Sequence, residues 1–501
     1  MQKSILIGGE AGQGPAVTSR LIAKIFCSLG YYVFDYRDYP SLIRGGHNFN
    51  ILAISDKPIF SHENKYDIIL AIDKKTVDLH EKNLKKGGFI LKSRDAKSLL
   101  ENDVLIGRLF KYFGAAKEIL LPVVEKEFGQ KSDKIKQAIA QGYDLGEIKE
   151  RLKRNGPKRY FLSGNEAVAL GALAGGLDVY LAYPMTPVTQ VLHFLAKRQI
   201  KNNILVFQPE NEIAAVNMAL GASFSGAKAM VGTSGGGFAL MTEALSLAGM
   251  AELPLVIYLG QRTAPSTGVP TYTGQGDLKF ALNAGHGEFP RIVVAPGDPQ
   301  EAILRTQEAF YLSGKYRVPA IVLSDKHLAE SGYTFDALKK SQLIFRQKPA
   351  VFASSYEHTS DGNTTEDPRL IMKMQESRMG KIKLIEAAIK NLKPALVFGQ
   401  GKNLIVSWGS TKGAILDALP KLKNFRFLQI SYLSPFPKEM VAREIKKSSR
   451  VVLVENNVTG SLADVIAEKT GLMIKSKVLK YDARPFTPEY LIKNIKGGST
   501  S

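Results

Sequence analysis

Between Val179 and Arg262 one local pattern recurs four times: a short apolar run ends in a polar or glycine-rich turn, which passes into a stretch with helical spacing. The turns are Tyr183-Pro184-Met185-Thr186-Pro187, Glu210-Asn211-Glu212, Thr233-Ser234-Gly235-Gly236-Gly237 and Gln261-Arg262-Thr263. Short buried strands alternating with helices predict an α/β sheet, and ligands of open α/β sheets bind beyond the carboxyl ends of the strands. Thr186, Glu212, Thr233 and Arg262 all fall at or just past such ends, so topology alone makes four loops converge on one site.

The same alternation extends along the chain. Strands are predicted at Ser4 to Ile7, Tyr31 to Phe34, Phe49 to Ile54, Asp67 to Ile72 and Gly88 to Leu91, which reads as a doubly wound α/β domain. A polar, helical stretch from Glu125 to Asn155 follows and reads as a connector closed by Asn155-Gly156-Pro157. The central unit continues with strands at Ile204 to Gln208, Leu255 to Leu259, Arg291 to Ala295 and Ala320 to Leu323. From about Gln347 to Arg378 the chain is polar without clear apolar periodicity, and a long exposed loop is expected. A last unit has predicted strands at Asn403 to Trp408, Phe425 to Ile430, Arg450 to Glu455 and Gly471 to Ser476. The expectation is a multi-domain α/β chain divided at 1–155, 156–335, 336–379 and 380–501, because 501 residues exceed one hydrophobic core.

Composition narrows the chemistry. A single cysteine, Cys27, excludes an intrachain disulfide framework and any Cys₄ iron–sulfur site built from this chain alone. Its neighbours Ile25 and Phe26 mark it as a packing residue. The seven histidines show no HxH, HxxH or HExxH spacing, so no metal site is predicted. Glu243 and Glu252 interrupt the most hydrophobic region, and the N-terminal residues give no signal-peptide core, so no membrane span and a cytoplasmic location are expected. The net charge of +20 is scattered in small groups such as Lys82-Asn83-Leu84-Lys85-Lys86. That pattern fits an acidic partner, coenzyme A or diphosphate ligands better than nucleic acid, which is not expected.

The turns carry chemistry of distinct kinds. Gly8-Gly9-Glu10-Ala11-Gly12-Gln13-Gly14 joins a strand to the helix Val17 to Leu29, and Arg44-Gly45-Gly46-His47 adds a cation and more glycine, so Gly12, Gly14, Arg44 and Gly45 are candidates for holding an anion. Pro184 and Pro187 stiffen the turn around Thr186, which suits recognition of a small carboxylate and equally suits a helix cap. Glu210 is explained by the helix macrodipole. Glu212 carries more weight, because thiamine catalysis needs one buried carboxyl group against the aminopyrimidine ring nitrogen. Gly235 to Gly237 permit close backbone approach, and Arg262 is a planar donor suited to a carboxylate, although a surface ion pair would also use it.

Taken together, these motifs resemble the α subunit of a 2-oxoacid:ferredoxin oxidoreductase with a γ-type domain fused ahead of the α portion, over nearly the whole chain. GGEAGQG and YPSLIRGGHN resemble the γ-type domain. LAYPMTPVT, QPENEIAAVNMALGAS, GTSGGGFALMTEALSLAGMAELPLVI and GQRTAPSTGVPT resemble the domain that binds the pyrimidine end of thiamine diphosphate. Tyr356 through Gly362, with Glu366 and Asp367, resemble the inter-domain loop, and SYLSPFP with VENNVTGSLADVI resembles the transketolase C-terminal-like domain.

The resemblance implies oxidative decarboxylation of a 2-oxoacid to acyl-CoA and CO₂ with electrons passed to ferredoxin, or the reverse. It implies Glu212 as the catalytic glutamate, Thr186 and Arg262 as substrate contacts, and Tyr183, Pro184, Thr233, Ser234 and Gly235 on the cofactor side. The Gly12, Gly14, Arg44 and Gly45 loops would help hold coenzyme A. It further implies a β subunit that supplies Mg²⁺, the diphosphate site and a [4Fe-4S] cluster, in an αβ or (αβ)₂ enzyme. Two other readings use the same residues: a non-redox thiamine-dependent decarboxylase or transketolase relative, and a non-catalytic scaffold subunit.

Overall fold

The computed structural model describes residues 2–40, 46–94, 98–338, 341, 343–350 and 354–497. The chain forms two compact units, one of residues 1–163 with 330–338 and 487–490, the other of the remainder.

The first unit is built on a seven-stranded sheet in the order Leu84–Lys92, Tyr66–Ala71, Gln2–Glu10, His47–Ser55, Tyr32–Asp38, Gly332–Phe335, Tyr160–Ser163. Only the first three of these strands pair in parallel; His47–Ser55 is antiparallel to both of its neighbours. The sheet is therefore mixed rather than doubly wound, because His47–Ser55 enters it antiparallel between two strands instead of through a parallel crossover. Pro15–Ser28 packs Leu21, Ile22, Ile25 and Phe26 into the core, and Cys27 is buried beside them.

The stretch expected to be a connector is part of this core. Within it Ser132–Asp144 buries Ala138 and Ile139, while Lys117–Phe128, which runs into its start, buries Leu120 and Val124 just ahead of it. Ser132–Asp144 lies against Leu99–Tyr112 so closely that a Cβ on Gly142 would meet the Val104 carbonyl oxygen at 2.0 Å, and one on Gly107 the Ile139 oxygen at 2.1 Å. Polar composition concealed this because each helix buries only a narrow stripe.

The second unit holds two sheets. The larger runs Tyr432–Ser434, Ile292–Val294, Pro319–Asp325, Leu255–Gln261, Ala229–Thr233, Val179–Leu181, Leu205–Phe207, with every pair parallel except the first. Every residue of Leu255–Gln261 and Pro319–Asp325 is buried, as expected for strands covered on both faces. The smaller sheet runs Ala395–Phe398, Phe425–Ile430, Asn403–Ser407, Arg450–Glu455, Ser476–Leu479. Its last strand starts where the sequence reading ended it: Gly471 closes the helix Ser461–Thr470 at φ 72°, and pairing resumes only when Ser476 meets Val452.

Two further differences have clear causes. The expected long loop gives way at Asp367, whose Oδ1 accepts from the Arg369 and Leu370 amides at 2.9 Å and starts the 22-residue helix Pro368–Ile389. Arg378 of that helix is buried and donates to both carboxylate oxygens of Glu357 at 2.9 Å. Tyr432–Ser434 leaves the end of Phe425–Ile430 and joins the larger sheet, so a strand from the C-terminal third completes it. A buried charge cluster accompanies this join: Lys412 pairs with Asp298 and Glu301, Gln429 donates to Glu301, and Arg305 pairs with Glu308, which accepts from the Tyr432 hydroxyl. Among the described residues no helix is long and apolar enough to cross a membrane.

Candidate active site

Glu212 is the first residue of the helix Glu212–Phe224. Asn211 caps that helix, its Oδ1 accepting from Ala214 N at 2.8 Å, so the cap fixes the backbone and leaves the Glu212 side chain free to turn inward. The side chain is buried, and its Oε1 has no hydrogen-bond partner among the described residues. An unpaired buried carboxylate oxygen costs on the order of 1–3 kcal/mol or more, which makes it a group awaiting a donor.

The roof over Glu212 is glycine. A Cβ placed on Gly237 would lie 2.7 Å from Glu212 Oε1 and 2.1 Å from Thr233 Oγ1, so only glycine allows Gly235–Leu240 to sit so close. Thr233 and Ser234 are fully buried. The Ser234 hydroxyl donates to Met185 Sδ at 2.8 Å, and Arg262 Nη1 donates to the Thr186 carbonyl at 3.2 Å. The peptide bond from Thr186 to Pro187 is cis. These contacts join four turns that are distant in sequence: 185 meets 234, 186 meets 262, and 237 meets 233 and 212. Tyr183 is 39% exposed, and Pro184 beside it is half-buried.

Beside this cluster a cleft of about 640 Å³ is lined by Gly235, Gly236 and Arg262 on one side and by Asn456, Asn457 and Tyr481 on the other. Its walls are locked together by Gln275, which donates from its backbone to Asn456 O and accepts from Asn456 N at 2.9 Å through Oε1. Asn457 Nδ2 donates to the Gln275 carbonyl at 2.8 Å. Asp277 also lines the cleft, and burial pushes its carboxyl up to about 6 against the opposing pull of the Arg262 guanidinium. Burial likewise holds Arg262 below its usual range.

Sequence reasoning missed Asp277, Asn456 and Asn457. The available signal was positional: Asn456-Asn457 directly follows the strand Arg450–Glu455 and so sits at a carboxyl strand end like the other four turns.

Gly12 and Gly14 belong to the first unit and adopt φ of 95° and 83°, values that favour glycine. Two amides of that turn are already engaged, Ala11 N with Gly46 O and Gln13 N with Glu10 O. Arg44 and Gly45 lie outside the described residues.

Comparison with known proteins adds an independent line. The thiamine-diphosphate-binding family model of pyruvate flavodoxin/ferredoxin oxidoreductases matches residues 170–391, and the pyruvate ferredoxin/flavodoxin oxidoreductase model matches residues 4–98. A 2-oxoacid:ferredoxin oxidoreductase subunit alpha from Sulfolobus sp is 30% identical over 619 aligned residues, covering 99% of this chain and 98% of the relative. The 2-oxoglutarate synthase subunit KorA of Archaeoglobus fulgidus is 31% identical over 352 residues, covering 67% of this chain and 98% of its own. The solved 2-oxoglutarate:ferredoxin oxidoreductase from Magnetococcus marinus, with 2-oxoglutarate, coenzyme A and succinyl-CoA bound, matches with a TM-score of 0.88 at 26% identity, covering 99% of both chains.

Proposed function

Since this chain belongs to the 2-oxoacid:ferredoxin oxidoreductase family as an alpha subunit, we propose that it supplies the pyrimidine-side half of a thiamine diphosphate site in which a 2-oxoacid is converted to acyl-CoA and CO₂, or the reverse. The observation that carries this reading is the buried Glu212 carboxylate, with Oε1 unpartnered beneath Gly237. The residues present fit the pyrimidine end of the cofactor: an orphan acceptor, a glycine roof and a rigid strand-end frame. Bound thiamine diphosphate would supply the nucleophilic carbon that adds to the keto group and takes up the electron pair released with CO₂.

In this reading Glu212 holds a proton on the ring nitrogen of the aminopyrimidine, and burial keeps water from competing for that hydrogen bond. Thr233, Ser234 and Gly235, with Tyr183 and Pro184, form the cofactor-facing wall. Thr186 and Arg262 orient the 2-oxoacid, Arg262 through its carboxylate. That grip must not outlast the reaction, because holding the departing CO₂ as tightly as the substrate would give no gain in rate. Coenzyme A is the acyl acceptor, and Gly12 and Gly14, with Arg44 and Gly45, are assigned to its binding.

A β subunit is proposed to supply Mg²⁺, the diphosphate site and a [4Fe-4S] cluster that passes electrons to ferredoxin, in an αβ or (αβ)₂ enzyme of the cytoplasm. 2-Oxoglutarate is the first substrate to assay, because two of the relatives above carry it in their names. The test is co-expression with the β subunit, followed by anaerobic viologen reduction dependent on 2-oxoacid, coenzyme A and thiamine diphosphate. Glu212→Gln should abolish turnover in an intact complex. A loaded, folded wild-type complex inactive with every 2-oxoacid would refute the proposal.

A further inference from the structure

Asp277 stands at the N-cap position of the helix Leu278–Asn283, yet its side chain caps nothing. Its backbone amide is held by Gln261 Oε1 at 2.9 Å, and Gln261 is fully buried and itself anchored to the Ser324 carbonyl at 3.0 Å. The carboxylate is pressed instead against Gly235, where a Cβ would lie 2.6 Å from Oδ2 and 3.2 Å from Oδ1. An aspartate in the favoured capping position that forgoes its cap has exchanged about 1 kcal/mol of local stability for another placement. That placement is the wall of the cleft it shares with Arg262.

The charged surroundings of Asp277 are few. Arg262 faces it from the end of Leu255–Gln261, and Tyr481 is the other titratable residue lining the cleft. Gly235–Leu240, packed against it, carries no ionisable group. Lys279, two residues on in its own helix, is paired with Asp464 at 2.5 Å on the exposed side. Among the described residues lining this half-buried cleft, Arg262 and Asp277 are thus the one unlike pair, with no ion-pair contact within 4 Å between them, and the Glu212 carboxylate lies against Gly237 of the same glycine segment.

We propose that Asp277 is the internal counter-ion of Arg262, displaced in charge when a 2-oxoacid carboxylate arrives, so that substrate binding takes up one proton from solvent onto the Asp277 carboxylate. This rests on the assignment of Arg262 to the substrate. With the cleft empty, one guanidinium and one carboxylate balance. When a second carboxylate binds Arg262, two anions share one cation in a poorly solvated space, and the cheaper outcome is protonation of the one that cannot leave. Burial has already brought Asp277 near that point, with its carboxyl at about 6. Asp277 is a positioning residue here: it acts on substrate only through Arg262. In the αβ enzyme the Michaelis constant for the 2-oxoacid should rise with pH above about 6, by up to tenfold per pH unit, while turnover at saturation changes little.

The test is titration calorimetry of the thiamine-loaded αβ complex at pH 7 with N-oxalylglycine and, separately, oxamate, whose amide carbonyls resist attack. Running each in two buffers of different ionisation enthalpy counts protons directly. Wild type should take up close to one proton per ligand; Asp277→Asn and Asp277→Ser should take up close to none, with affinity that no longer depends on pH. Binding without proton uptake in wild type overturns this proposal and leaves the assignment of Arg262 standing. Uptake that persists in both variants overturns it too. Failure of both analogues to bind the loaded complex overturns both this proposal and the substrate reading beneath it.

Discussion

Gly236 and Gly237 are neighbours in the same short helix, and alanine at each should act with opposite sign. At Gly236 a Cβ meets no atom of the described residues within 4 Å, whereas at Gly237 it would lie 2.1 Å from Thr233 Oγ1 and 2.7 Å from Glu212 Oε1. Thr233 is fully buried at the end of its strand, so its hydroxyl cannot swing out to solvent. Both substitutions gain the helix preference of alanine over glycine, about 0.5–1 kcal/mol. Only Gly237→Ala incurs overpacking, which costs about 1–3 kcal/mol. The preference terms cancel between the variants, so Gly237→Ala should be the less stable by about 1–3 kcal/mol, a urea midpoint lower by roughly 0.3–1 M. Trp408, the only tryptophan, is fully buried in the same unit, and its fluorescence reports the relevant transition. Thr233→Ala should restore part of the loss when combined with Gly237→Ala but not with Gly236→Ala, because only the first pair is in contact. Equal midpoints, or a higher one for Gly237→Ala, would refute the close-approach argument and with it the glycine roof over Glu212.

The Tyr180 hydroxyl is buried without a partner among the described residues, so Tyr180→Phe should be neutral or stabilising by up to about 1 kcal/mol in the same urea assay. Lys412→Met leaves buried Glu301 and half-buried Asp298 without their shared cation and should cost about 3–5 kcal/mol; adding Asp298→Asn and Glu301→Gln should recover most of it. Burial pushes fully buried Glu455 up to about 7 from an ordinary 4.5, against the indole N–H of Trp408 that donates to it at 2.8 Å. The folded state thus holds that proton more tightly than the unfolded chain, so its contribution is full below about pH 4.5 and lost as pH rises through 7. Glu455→Gln should flatten the change in urea midpoint between pH 5 and 8, and an unchanged slope would count against this.

Much of the fold was legible in the chain because buried parallel strands are continuous apolar runs. Arg450–Glu455, with Val451 to Val454 at its centre, falls at the bounds read from sequence, and so does Phe425–Ile430 although Arg426 and Gln429 interrupt its apolar run. What escaped were pieces whose partners lie far away. Gly332–Phe335 is short and becomes a strand only by pairing with Tyr160–Ser163 and Tyr32–Asp38. Pro368–Ile389 carries a charged, weakly patterned face, and its ordering depends on Asp367 at the cap and on the pairing of Arg378 with Glu357. In the site, Glu212, Thr233 and Arg262 were visible as strand-end residues. Asp277 was not, since nothing local distinguishes it from an ordinary helix cap.

The sequence by itself determined the periodic order of strands and helices, and therefore which turns share the carboxyl edge of the central sheet. It also set the residue types available there: one carboxylate at a helix start, a run of glycines, a guanidinium. Those properties are local, set by spacing and backbone preference. Only the tertiary structure decided that Glu212 is buried with an orphan oxygen, that Gly237 rather than Gly236 covers it, and that Asp277 turns from its own helix toward the cleft of Arg262. Burial, close approach and the balance of charge in a cleft depend on atoms brought together from far apart in the chain, and their energies exist only once the packing does.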